Sequence, residues 1–270
     1  MSKVSLTTTK IMGIINANDD SFYDASRFKG KDAISKITSM IDDGAHIIDI
    51  GGVSTKPGSL EISEEKELAR IKPICDIINK EKLFTKTTFS IDSYTPTVIE
   101  YALQSGFTIV NDITGLQNDE VAKLTAKYDA TIIIMHMQGN PQTMQKNPQY
   151  KDVVFEVDHF FQKRIQKAKK FGIKNIILDV GIGFGKTLEH NLMLLKNMDK
   201  FLYLECELLI AASRKSMIDK ITPSLTQERL SGTLAIHLDS VRRGATLVRT
   251  HDVKEHHQAL KVQEAINSSS

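Results

Sequence analysis

The sequence predicts an α/β fold: eight parallel strands closed into a (β/α)8 TIM barrel, a single domain over residues 1–270. Three observations carry this. Eight short apolar runs alternate with stretches of helical spacing along nearly the whole chain. The runs are almost continuous in Ile, Val and Leu, as strands buried on both faces must be, and parallel strands need crossover helices between them. Each run also ends in, or passes into, polar residues with chemistry to offer, which suits the carboxyl-terminal rim of a barrel. An open doubly wound sheet would gather such residues at one switch point instead. At 270 residues the length matches one barrel, and a second full domain is not expected.

In chain order, IMGIINA (11–17) carries Asn16. The stretch 31–43 puts Ile34, Ile37, Met40 and Ile41 on one helical face. HIIDIGG (46–52) carries Asp49, and the next helix, 63–79, is apolar at Leu68, Ile71, Ile74, Ile77 and Ile78. TFSID (88–92) ends in Asp92 just before a helix over 95–105, so helix capping competes there with a role in binding. TIVNDI (108–113) carries Asn111 before a helix over 118–127, and TIIIMHM (131–137) carries His136 before one over 152–171. IILDVG (176–181) carries Asp179 before a helix over 187–199. LLIAAS (208–213) opens on Ser213-Arg214-Lys215-Ser216, with a helix over 228–243, and LVRTHD (247–252) carries Arg249 and His251 before a last helix over 253–267. The connections 18–30, 51–63 and 138–151 are longer than tight turns require and fall on the same rim.

With 35 basic and 33 acidic residues, net charge +2, no global field favours nucleic acid or an anionic membrane as partner. Any anion must be held by local groups. Cys75 and Cys206 read as inert packing thiols rather than a disulfide. No apolar stretch approaches the roughly 20 residues of a membrane span, and the first ten residues lack the apolar run of a signal peptide, so a cytoplasmic location is expected.

The stretch from Asp179 to Thr187 superficially offers a phosphate loop, but Val180 stands where that motif needs glycine. The better reading is a strand-end carboxylate followed by glycines that admit a flat ligand close to the backbone. Asp92, Asn111 and Asp179 then form two carboxylates and an amide on one rim, which match the N–H donors and carbonyl of a pterin-type or guanine-like ring. Arg249 and His251, with Asn16 across the barrel closure, suit a phosphate group, helped by helix N-termini. Lys215 could form a Schiff base or donate to a ring carbonyl, and its place beyond the strand disfavours the former. His251, His256 and His257 lack zinc-ligand spacing, and the latter two read as solvated helix residues.

Seven ordered motifs extend this reading. They are Ile14-Ile15-Asn16 with Asp20-Ser21-Phe22, Asp49-Ile50-Gly51-Gly52 with Ser54-Thr55-Lys56-Pro57-Gly58, and Ser90-Ile91-Asp92. Next come Asn111-Asp112-Ile113, Asp179 with Gly181-Ile182-Gly183-Phe184, Ser213-Arg214-Lys215-Ser216, and Arg249-Thr250-His251-Asp252-Val253. In these the chain resembles the bacterial dihydropteroate synthases, the targets of sulfonamides, over nearly its full length. The resemblance implies that 6-hydroxymethyl-7,8-dihydropterin diphosphate and 4-aminobenzoate condense to 7,8-dihydropteroate and pyrophosphate, with Mg2+ as cofactor. It implies that Asp92, Asn111, Asp179 and Lys215 hold the ring. Asn16, Arg249 and His251 would hold the diphosphate, Asn16 also binding the metal. Thr55, Pro57, Phe22, Phe184, Lys215 and Ser216 would form the aminobenzoate side. Asp20, Asp92, Lys215 and Arg249 are the catalytic set so implied, and the expected assembly is a homodimer formed through helices on the far side of the barrel. Asn18-Asp19, Val53, Lys56 and Val180 depart from the commoner pattern, which bears on the loops more than on the reaction. A methyltransferase domain using methyltetrahydrofolate and a noncatalytic paralogue are the rival readings.

Overall fold

In a barrel strand, alternate side chains face inward, so a strand that is apolar at one inward position and polar two residues later builds a hydrophobic floor beneath a polar layer. Four strands here read that way: Ile47 then Asp49, Ile109 then Asn111, Ile177 then Asp179, and Leu247 then Arg249. The structure, a computed structural model, describes residues 8–17, 27–53 and 62–269. Its strands are β1 Lys10–Asn16, β2 Ile47–Gly51, β3 Thr88–Asp92, β4 Ile109–Asp112, β5 Thr131–Met135, β6 Ile176–Asp179, β7 Glu207–Ile210 and β8 Leu247–Thr250. They pair in parallel in sequence order, and β8 closes on β1, giving the closed barrel expected from the sequence.

The floor is a separate apolar cluster of Met12, Ile47, Ile109, Ile133, Ile177, Leu209, Ala211 and Leu247. Outward-facing residues of the same strands, among them Ile48, Val110, Ile132, Leu178, Leu208 and Val248, join a larger core beneath the helices. Side-chain parity thus decides which residues anchor the fold and which meet a ligand.

The helices are α1 Arg27–Asp42, α2 Glu64–Lys80, α3 Pro96–Gln104, α4 Asp119–Lys127, α5 Val153–Lys170, α6 Leu188–Lys196, α7 Ser216–Ile221, α8 Leu230–Arg242 and α9 Val253–Ser268. Ser63, Asn118, Asp152 and Thr187 cap α2, α4, α5 and α6 by accepting backbone N–H bonds. Asp92 is not a cap. It belongs to β3, and Thr95 stands at the start of α3, its N–H satisfied by the Ser93 hydroxyl at 3.1 Å. The helix expected over 187–199 stops at Lys196 and gives way to a 3-10 stretch, Met198–Leu204. The short helix α7 was not expected, because six residues are too few to show an amphipathic period. Cys75 is buried, its thiol pushed up to about 12 by that burial, and both cysteines are free. Among the described residues no helix is long and apolar enough to cross a membrane.

Candidate active site

The polar layer above the floor is organised around Asp49, whose side chain is fully buried. Its Oδ2 accepts from Arg249 Nε at 2.6 Å and from Asn111 Nδ2 at 3.0 Å. Arg249 Nη2 also donates to Asp92 Oδ2 at 2.7 Å, so one guanidinium links β8 to both β2 and β3. The planar fork of arginine makes such a double contact possible. Asp49 Oδ1, Asp92 Oδ1 and Ser90 Oγ are buried without a hydrogen-bond partner among the described residues. Unpaired acceptors of this kind are costly unless a ligand supplies the donors. Burial pushes the Asp92 carboxyl up to about 7 against the pull of Arg249.

Strand register sets these residues in a row. Asn16 pairs with Gly51, Gly51 with Asp92, and Asp92 with Asn111. Arg249 lies opposite Met12 instead, four residues before Asn16 on β1. The two backbones are therefore about 13 Å apart along the strand direction. The Arg249 guanidinium turns to the carboxylates of β2 and β3, and the expected grouping of Asn16 with Arg249 is not a direct contact.

Asp179 ends β6 in a buried position, with Oδ1 accepting the Gly181 N–H at 2.8 Å. Burial raises its carboxyl above the usual range, opposed chiefly by the charge of Lys215. Gly181 has φ +68° and a Cβ there would lie 1.9 Å from the His136 carbonyl oxygen, so no other residue fits this turn. Lys215, pulled down to about 8 by burial, donates to the Ile182 carbonyl, and its ammonium lies 4.3 Å from the Phe184 ring centroid. Ser216 is exposed at the start of α7. His251 closes the layer beyond β8, its Nδ1 2.9 Å from the Ser213 hydroxyl.

Asp20 and Phe22 on the first loop, and Thr55 and Pro57 on the second, lie outside the described residues, as do Asn18, Asp19 and Lys56. From the sequence Asp49 and His136 are only polar strand residues with no binding role. Asp49 is the hub described above. The His136 ring packs edge-on to Phe160 at 4.9 Å, and burial holds its imidazole down to about 2, hence neutral.

Lys186 was passed over with the failed phosphate-loop reading. It is buried, and its ammonium donates to the carbonyls of His136, Gly181 and Phe184 at 3.1, 3.0 and 2.9 Å. Three carbonyls around one nitrogen demand the NH3+ form, although burial lowers its pKa to about 7. The lysine pins the turn that carries Asp179 and Phe184. Lys186→Met is expected to leave three carbonyls unpaired, lowering stability by about 2–4 kcal/mol and loosening pterin binding. Denaturant titration checks the first effect and calorimetry the second, and an unchanged midpoint would count against the pin.

A closed parallel barrel with an apolar floor, a buried layer of carboxylates and amide, and a lysine and arginine above it defines a barrel enzyme for a flat, polar-edged ligand carrying an anionic group. Residues 12–251 match the family model for pterin binding enzymes, and the chain belongs to that family. It is 39% identical over 271 residues to dihydropteroate synthase of Escherichia coli K12, which spans 99% of this chain and 95% of that protein. It is 39% identical over 262 residues to the bifunctional dihydropteroate synthase/dihydropteroate reductase of Helicobacter pylori, over 97% of this chain and 69% of that one. Among solved structures, the Yersinia pestis dihydropteroate synthase in complex with a sulfonamide drug superposes with a TM-score of 0.91 at 35% identity, covering 98% of this chain and 97% of that one. The Thermus thermophilus enzyme in complex with 4-aminobenzoate gives 0.86 at 34% identity, covering 97% and 96%.

Proposed function

We propose that the chain is a dihydropteroate synthase (EC 2.5.1.15), condensing 6-hydroxymethyl-7,8-dihydropterin diphosphate with 4-aminobenzoate. The observation that carries this reading is the inward layer of Asp49, Asp92, Asn111 and Asp179, with acceptor oxygens on Asp49 and Asp92 that have no partner among the described residues, set beside the half-buried cations Arg249 and Lys215. Asn111 and Asp179 hold the polar edge of the pterin, and Lys215 donates to its carbonyl and ring nitrogen. The bond between the pterin methylene and the diphosphate oxygen breaks, the aromatic amine forms the new carbon–nitrogen bond, and its proton passes to solvent. Carboxylates near the ring favour positive charge on the pterin, while Arg249 and His251 meet negative charge on the leaving diphosphate. Holding the weak amine against the methylene lowers the barrier further. No covalent nucleophile is required.

Mg2+ suits the residues present only as an ion shared with substrate. Among the described residues no group of three or more His, Cys, Asp or Glu could hold a metal. Mg2+ characteristically keeps several waters and takes one or two protein oxygens plus substrate phosphates, and the Asn16 amide oxygen can be one of these. When bound, the ion supplies charge neutralisation at the diphosphate.

The direct test mixes the protein with pterin diphosphate, 4-aminobenzoate and Mg2+ and follows pyrophosphate and dihydropteroate. Equal release of both is expected. Folded protein that releases neither would favour the noncatalytic paralogue, and methyl transfer from methyltetrahydrofolate would favour the other rival.

The charge states of the site set its pH range. Asp92 is ionised above about 7, and Lys215 is charged below about 8. The free-enzyme kcat/KM is therefore expected to rise through about 7 and to fall through about 8. Loss of the rising limb would remove Asp92 from the groups that must be charged, loss of the falling limb would remove Lys215, and a profile flat from pH 6 to 9 would remove both.

The reading includes a cytoplasmic homodimer. Leu192 and Met193 on α6, Leu202 and Tyr203 beyond it, and Phe155 on α5 are 43%, 48%, 45%, 60% and 67% exposed, an apolar surface that supports self-association through these helices. Sedimentation at micromolar concentration should give twice the chain mass, and a monomer would overturn the assembly.

A further inference from the structure

His256 is not the solvated helix residue its sequence position suggests. It is 1% exposed, as is His237 on α8, and the two rings meet with Nδ1 of His237 2.9 Å from Nε2 of His256. The partners fix both tautomers. The Ala212 N–H, which can only donate, points at His237 Nε2 at 3.0 Å, so the His237 proton sits on Nδ1 and is given to His256 Nε2. His256 must then carry its own proton on Nδ1, which lies 2.6 Å from the Asp252 carbonyl oxygen and 3.2 Å from Thr250 Oγ1. A second proton on either ring would set N–H against N–H.

Each end of this chain stops beside a functional cation. The Ala212 carbonyl accepts the Lys215 N–H at 3.2 Å, so the residue whose N–H meets His237 also holds the backbone of Lys215. At the other end, Thr250 and Asp252 flank His251, and Thr250 directly follows Arg249. Arg214, between Ser213 and Lys215, has the left-handed φ of +56°, a conformation a non-glycine residue keeps only where its surroundings enforce it. Its guanidinium forks onto the Asp252 carboxylate, and its N–H donates to Thr233 of α8 at 3.0 Å.

We propose that His237 and His256 are positioning residues: a one-directional hydrogen-bond relay from the exit of β7 to the exit of β8 that sets the spacing between Lys215, at the pterin ring, and Arg249 with His251, at the leaving diphosphate. The proposal rests on the reaction assigned above and adds residues that contact neither substrate. Burial, with the charge of the partner histidine and of Lys215, pushes His237 well below its usual range. Burial likewise lowers His256, against the opposing pull of Asp252 and Glu255. Both rings are therefore neutral at pH 7, as the relay requires.

A relay that sets this spacing matters when ring and diphosphate are held together and little when either is held alone. In His256→Leu, kcat should fall about tenfold, and the affinity advantage of pterin diphosphate over 6-hydroxymethylpterin should shrink by a similar factor. Binding of 6-hydroxymethylpterin itself should stay within about twofold. His256→Gln, whose Oε1 can still accept from His237, should recover part of the loss. Ser240→Val is the control, since Ser240 is buried on α8 and its hydroxyl donates to the Ile236 carbonyl of its own helix, outside the relay. It should cost stability and leave the affinity ratio unchanged. Nitrogen NMR of the imidazoles reads the relay without any turnover, and should show Nδ1–H on both rings from pH 6 to 8. An Nε2–H tautomer, or an affinity ratio unchanged in His256→Leu, overturns the relay. Absence of turnover in the unsubstituted protein, with the tautomers as stated, would instead remove the assigned reaction.

Discussion

Arg249→Ala is expected to reduce kcat by about a hundredfold to a thousandfold, the scale of losing one preorganised charge partner for a leaving group. It is also expected to destabilise the protein. Arg249 neutralises Asp49 and Asp92 at 2.6 and 2.7 Å, with those side chains 0% and 12% exposed, so its loss strands buried carboxylates. Breaking a buried pair from one side costs about 3–5 kcal/mol, or about ten degrees in melting temperature for a chain of this size. The penalty should depend on pH. Asp92, already raised to about 7 by burial, rises further without the arginine, so the folded state takes up a proton. Stability lost at pH 8.5 is then partly regained at pH 6. Arg249→Ala combined with Asp92→Asn should recover melting temperature without recovering turnover. Melting curves at the two pH values decide the point: a single variant as stable as the parent at pH 8.5 would show that the arginine is not the neutralising partner.

Arg249 also shows what a sequence can and cannot disclose about a site. Apolar runs and their polar exits gave the strand order, the rim and the residues that face it, because strand parity and barrel closure are local and geometric constraints. The partner of each rim residue was not legible. Arg249 and Asp49 are 200 positions apart, and their contact depends on how far one guanidinium reaches across the barrel. Asp49 had the signal needed to find it, since it stands two residues after Ile47 and so faces inward above the floor. Lys186 was hidden for a different reason. A Gly-Lys-Thr sequence after a strand invites comparison with a phosphate loop, and failure of that comparison left the lysine without a role. The glycine turn that presents Asp179 needs a cation among its inward-turned carbonyls, which is a chemical requirement rather than a motif. His256 was misread because α9 is only weakly amphipathic by sequence, and a histidine beside a second histidine looks like a polar face.

Asp179 should separate stability from function in the opposite direction to Arg249. Its carboxylate is held in a buried position where ionisation is unfavourable, as its raised pKa shows. In the unfolded chain it ionises near 4, so at neutral pH the folded state carries a burden the unfolded state lacks. That burden is complete above the folded pKa, and it vanishes as pH falls below the unfolded one. Asp179→Asn keeps an oxygen to accept the Gly181 N–H at 2.8 Å and removes the charge. Its melting temperature should therefore rise by about a few degrees at pH 7–8, with the gain fading toward pH 4. Pterin binding should weaken by about a hundredfold or more, because the ring's N–H donors lose a charged acceptor and meet an NH2 group instead. Asp179→Ala should abolish measurable binding of pterin diphosphate altogether. Calorimetry and melting curves on the same samples test both halves: normal pterin binding in Asp179→Ala would remove Asp179 from the ring, and a lower melting temperature for Asp179→Asn at pH 8 would show that Lys215 more than offsets the cost of its burial. A stabilised protein that no longer binds would place the strain in the part of the barrel that meets the ring.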